Sequence, residues 1–155
     1  MHFTYEAFNP IDDLQQGDFV GRSAELDALL ADIHPYFIKP YYLGFMVLTQ
    51  SCDLVTEGSR DLKTNYITIC AVRTLSDAIA SEARKLQTDV VQRLGNVLNP
   101  KNADKLKLFI ESILNNNKPE FFFLRRDTSL GFADDLCAFV RVAVALKADH
   151  LEILK

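Results

Sequence analysis

The chain has 155 residues, 48% of them hydrophobic and 25% charged, which is enough for one domain with a real core and too balanced for a disordered chain. Its net charge of -4 gives no general attraction to nucleic acid. No apolar run approaches the roughly 18 residues that a bilayer requires, and Met1-His-Phe-Thr-Tyr-Glu6 lacks the regions of a secretion signal, so the expected setting is cytoplasmic, with no membrane association.

In chain order, Gly17-Asp18-Phe19-Val20 reads as a turn entering a short strand. Ser23 is then placed to cap a helix whose apolar face is Leu26, Leu29, Leu30 and Ile33, ended by Pro35. Tyr36 to Tyr42 carries four aromatics and Pro40, and reads as an irregular or edge segment. Phe45 to Leu48 is a buried-type strand running into the polar cluster Thr49-Gln50-Ser51-Cys52-Asp53. Thr56 to Asp61 reads as a polar loop, and Tyr66 to Val72 as a strand apolar enough to be buried on both faces.

From Ser76 to Leu94 the period becomes helical, with Ile79, Ala83, Leu86, Val90 and Leu94 on one stripe and Gly95 as the stop. Asn99-Pro100 opens a second helix, striped by Leu106, Phe109, Ile110 and Ile113 and ended by Asn115 to Pro119. Strands return at Phe121 to Leu124 and, past a turn near Gly131, at Ala138 to Leu146, and a short helix closes the chain. Strands interrupted by helices without regular alternation predict an α+β fold. Its form is a small curved antiparallel sheet or an SH3-like barrel, in a single domain. Residues 1–75 and 119–155 would form the sheet, and residues 76–118 would be an inserted helical hairpin.

The cluster at the end of the Phe45 strand is where hydroxyl, amide, thiol and carboxylate crowd together. Strand ends commonly hold reactive or ligand-binding groups, because a rigid ladder positions the turn. Thr49, Ser51, Cys52 and Asp53 are therefore candidates for ligand or phosphate binding. The alternative is a turn in which Asp53 accepts backbone N–H groups and Ser51 bonds locally. Catalysis by Cys52 would need a base, and His34 and His150 lie in no motif. His34, at a helix end, is expected on the helix carbonyls.

Arg125-Arg126 could clamp a phosphate, with Asp127 beside them as an alternative ion-pair partner. Tyr36, Tyr41 and Tyr42, with Phe37 and Lys39, could cover the core, meet a protein or stack on bases. Cys70 and Cys137 lie in apolar strands and read as core residues, with Cys52 the reachable thiol. Nothing has the spacing of a zinc site, and no phosphate-binding loop or dinucleotide motif is present, so no cofactor is expected. Glu82-Ala-Arg-Lys85 sits on a helix, away from the strand context of a nuclease motif.

The order of elements resembles the PemK/MazF-like small barrels, the fold of many toxin endoribonucleases. The likeness rests on Gly17-Asp18-Phe19-Val20, on Phe45-Met-Val-Leu-Thr-Gln-Ser51, on Tyr66 to Val72 and on Ala138 to Leu154, about two-thirds of the chain. That family usually enters its second strand through an Arg-Pro pair whose arginine serves phosphate chemistry, and here Leu43-Gly44 stands in its place.

The resemblance with that departure implies a non-catalytic binding or regulatory component of a prokaryotic toxin-like or defence-type system. It would have a protein partner, and a homodimer is compatible with it. Nucleic acid is disfavoured by charge. The alternatives are a metal-independent endoribonuclease using Arg125 or Arg126 with Thr49 and Ser51, and, third, a cysteine-dependent hydrolase using Cys52.

Overall fold

The computed structural model describes residues 12–55, 62–86, 99–128 and 131–155. The fold is α+β. Five antiparallel strands make one open sheet in the order β1-β2-β3-β5-β4, formed by β1 (Phe19–Gly21), β2 (Gly44–Val47), β3 (Tyr66–Thr74), β4 (Phe121–Leu124) and β5 (Leu136–Lys147). These are the five strands expected from the sequence. The barrel alternative is not realised, because β1 and β4 remain as edges. Part of the reason is local to β4. The N–H of Phe121 bonds the Lys118 carbonyl at 3.0 Å and that of Phe123 bonds Asn116 Oδ1 at 2.7 Å. The preceding turn thus occupies two donors that a further strand would need.

Two compact units divide the chain, one from Met1–Arg73 with Ala138–Lys155, the other Thr74–Cys137. In the first, helix α1 (Ala24–Ile33) begins where expected, with Ser23 Oγ accepting from the Leu26 N–H at 3.1 Å. Leu26 and Leu30 are fully buried, whereas Ile33, expected on the same face, is 46% exposed. The helix ends there and the chain turns into the 3-10 helix Pro35–Ile38, which carries the last turn away from the core.

The register explains the core. Val20 pairs with Phe45 and Phe45 with Ala71, while Val47 pairs with Ile69. All five side chains fall on one face because strands alternate with period two. They join Leu14, Leu26, Leu30, Tyr42, Leu54, Ile67, Val144, Leu146 and Leu154 in one cluster. Met46, Cys70 and Val72 occupy the opposite face and are buried as well, as the apolar run of β3 predicted. The C-terminus closes as a 3-10 turn, Ala148–His150, and one helical turn, Leu151–Leu154.

The second unit holds α3 (Leu75–Leu86) and α4 (Pro100–Leu114), which follow the single-turn α2 (Ser51–Leu54) of the first. Thr74 Oγ1 accepts from Asp77 N–H at 3.1 Å and opens α3, and Asn99 Oδ1 accepts from Asn102 N–H at 2.8 Å and opens α4. Asn102 then donates through Nδ2 to the last carbonyl of α3, Leu86, at 2.6 Å. Phe109 and Ile113 are buried and Leu106 is half-buried, with the Phe109 ring meeting Phe121 edge-on at 5.6 Å. Val90, Leu94, Gly95 and the Thr56 to Asp61 loop lie outside the described residues. Glu82 and Lys85 pair with each other at 3.0 Å on α3.

Candidate functional site

The polar strand end is built by backbone needs. Past β2 the ladder runs one residue further, as Leu48 N–H donates to the Thr68 carbonyl at 2.8 Å. Thr49 then substitutes its side chain for its backbone, and its Oγ1 accepts from Thr68 N–H at 2.7 Å. Ser51 opens the helical turn α2, and its Oγ accepts from Gln16 N–H at 3.0 Å. Gln16 answers through Nε2 to the Leu48 carbonyl at 3.0 Å. The turn that carries Gln16 is itself clamped to β2 by Gly17 N–H to Val47 O and Val47 N–H to Asp18 O, both 2.9 Å. Gly17 has a φ of +97°, which a residue without Cβ adopts at little cost.

The local turn expected here is therefore corrected. Thr49 and Ser51 spend acceptor capacity on amides 19 and 35 residues away. Among the described residues Asp53 does not accept from neighbouring amides. Its Oδ1 stands 3.8 Å from Cys52 Sγ, with Gln50 Oε1 at 3.7 Å on the same sulfur. Cys52 is exposed, and Cys70 and Cys137 are buried, as their sequence contexts predicted. Burial pushes the Cys70 thiol up to about 11.

A base for Cys52 is not supplied by the described histidines in any arrangement of the kind cysteine hydrolases use. His34 meets the expected α1 carbonyl only through its backbone N–H, which donates to Leu30 O at 2.9 Å, while its Nδ1 accepts from Tyr36 N–H at 3.0 Å and caps the 3-10 helix; His150 ends the C-terminal 3-10 turn. Arg125 and Arg126 follow β4, exposed, in the second unit, where Asp135 Oδ1 holds the Arg126 N–H at 2.8 Å. Thr49 and Ser51 belong to the first unit, so neither unit by itself brings the arginine pair to the hydroxyls. Among the described residues no group of three or more His, Cys, Asp or Glu side chains could hold a metal ion, and no helix is long and apolar enough to cross a membrane.

The aromatic segment forms a defined constellation. Tyr42 is 2% exposed and anchors it, with Tyr41 at 4.7 Å, Tyr36 at 5.8 Å and Phe45 at 6.5 Å between ring centroids. The interplanar angles of 74° and 72° with Tyr41 and Tyr36 are the edge-to-face geometry that aromatic quadrupoles favour. Burial holds the Tyr42 hydroxyl protonated well above the ordinary phenol range, with Tyr36 and Tyr41 beside it acting in the same direction. On that base Tyr36 is 43% exposed, Tyr41 36% and the adjoining Leu43 44%.

Two arginines that the sequence reading did not single out organise this segment. Arg22 makes a bidentate pair with Asp27, at 2.9 and 2.7 Å, and donates to the carbonyls of Lys39 at 3.0 Å, Ile38 at 3.3 Å and Tyr42 at 3.4 Å. One planar fork thus ties the start of α1 to the end of the 3-10 helix. Arg73, near the end of β3, lies over the Tyr41 ring, with Cζ 4.4 Å from its centroid and 5.2 Å from that of Phe139. The cation on the aromatic cluster is therefore Arg73 and not the neighbouring Lys39. Residues 22 and 73 flank the segment at distances where no periodicity links them to it, so only the register of β3 could reveal the second.

Compared with protein-family models, with curated proteins and with solved structures, the chain finds no match in any of the three.

Proposed function

We propose that this chain is a non-catalytic binding component that recognises a protein partner through the Tyr36, Tyr41 and Leu43 surface. The observation that carries the reading is the aromatic constellation itself. Two exposed tyrosines pack edge-on against a buried third, with exposed Leu43 next to it in the chain, so large apolar area is presented on a fixed base. Tyrosine is enriched at interfaces for that reason, since a rigid amphipathic ring loses little entropy on contact. The strand-end hydroxyls of Thr49 and Ser51, by contrast, are engaged in holding the fold. The toxin-like or defence-type setting rests on the resemblance to the PemK/MazF-like barrels alone.

The test has two arms. A protein captured from the native host should be purified and its affinity measured for the wild type and for the Tyr36→Ser/Tyr41→Ser double variant. The expected result is a loss of about tenfold or more in the variant, as two interface aromatics are removed. The second arm is RNA cleavage without added metal, in which the wild type is expected to be inactive. Leu43-Gly44 holds no arginine of its own, and the Thr49 and Ser51 hydroxyls already accept from the Thr68 and Gln16 amides, so a phosphate would lack the family's main stabilising contact. Cleavage by the wild type that disappears in Thr49→Ala, Arg125→Ala and Arg126→Ala would replace this reading with the endoribonuclease one.

A further inference from the structure

We propose that Arg73 is a preformed receptor for a single carboxylate, the side chain of an aspartate or glutamate on the partner protein, a site that rests on the binding role above and specifies its chemistry. The guanidinium lies over Tyr41 and near Phe139, with Cζ 4.4 and 5.2 Å from the two ring centroids. Its Nε is sealed from solvent and has no acceptor among the described residues. A donor in that state is a standing cost in a native protein and calls for an explanation. The residue as a whole is only half-buried, so the outer nitrogens of the fork are the side left for an acceptor.

The same unit shows what such a fork takes. Arg22 is also half-buried, and it holds both oxygens of Asp27, at 2.9 and 2.7 Å. Arg22 uses Nε and Nη2 for this, whereas Arg73, with Nε sealed, has its two Nη groups left for an acceptor and no carboxylate from the described residues. A planar fork and a carboxylate match as two parallel charge-assisted bonds.

A protein carboxylate fits better than a polyanion. Nucleic acid binding accumulates many cation–phosphate contacts, and a chain of net charge -4 repels a polyanion at long range. One carboxylate needs one fork. The rim is Tyr41 with Tyr36 and Leu43 close by, the tyrosine, arginine and apolar combination typical of interface centres.

The guanidinium Nε–H and tyrosine ring resonances of the whole chain report the site by NMR, with capped glutamate, capped glutamine, inorganic phosphate and oligouridylate as probes. Capped glutamate should shift Arg73 and Tyr41 at concentrations about tenfold below those that move the exposed Arg125 and Arg126, and capped glutamine should not. In Arg73→Lys the Tyr41 response should fall to the level of those exposed sites. Equal response of all three arginines overturns the proposal, as does a tighter response to oligouridylate or phosphate than to capped glutamate. The captured partner separates this from the binding role. Unchanged affinity for Arg73→Lys with a loss in Tyr36→Ser/Tyr41→Ser overturns the carboxylate site and leaves the surface standing. A loss in neither variant overturns both.

Discussion

Gly44 shows how one residue decides what the strand entry can be. A Cβ built there would fall on the Phe19 ring and 2.5 Å from the Val20 carbonyl oxygen. The position therefore excludes every side chain, proline included, as long as Phe19 packs across it and the Val20 carbonyl keeps its place. The Arg-Pro entry of the PemK/MazF-like barrels could not be restored here by two substitutions alone. Gly44→Ala should destabilise by about 1–3 kcal/mol, the usual cost of forcing atoms into a filled space. Chemical denaturation checks this, and Phe19→Ala in the same background should recover part of the loss by vacating the site. A Gly44→Ala variant as stable as the wild type would mean that both Phe19 and the Val20 carbonyl move aside freely.

At the scale of elements, the edge strand β4 depends on the turn before it. Asn116 has a φ of 51°, a left-handed conformation that asparagine tolerates better than most residues. Its side chain also accepts from Phe123 N–H. Asn116→Ala loses the conformation and the acceptor together and should cost about 1–3 kcal/mol. Asn116→Gly restores only the conformation and should recover about half of that. Equal stability of the two variants would assign the whole effect to the hydrogen bond. Hydrogen exchange at the Phe123 amide should rise in both, since the acceptor is gone in both.

For the whole molecule, the buried thiol of Cys70 makes stability fall on the alkaline side. An unfolded thiol ionises near about 8.5 and the folded one only near about 11, so the unfolded state loses its proton first. The contribution of burial is complete below about pH 8.5 and is lost as the pH rises toward 11. That gap corresponds to about 3 kcal/mol at the upper limit. Tyr42, raised in the same direction, extends the loss above about pH 10. Urea midpoints measured across this alkaline range should therefore drop, and drop less steeply in Cys70→Ala. Parallel curves for the two proteins would remove Cys70 as the source.

Sequence alone determined the elements, because each carries its own local cause. Ser23 and Asn99 cap the helices they were expected to cap, and the apolar runs at 45–48, 66–72 and 121–124 became strands, since capping and side-chain period act over a few residues. Burial of Cys70 and Cys137 followed from the same kind of apolar run. That the sheet stays open was seen only in the tertiary structure, where β1 and β4 remain as edges, although the turn at Asn116 and Lys118 that takes two β4 donors is itself local. The tertiary structure also decided the roles at the candidate sites. Thr49 and Ser51 read as a reactive cluster until the partners from Thr68 and Gln16 arrived, and Arg73 reads as an ordinary strand cation until β3 sets it over Tyr41. A side chain's chemistry is written in its own residue, but what it faces is set by chain segments tens of residues away.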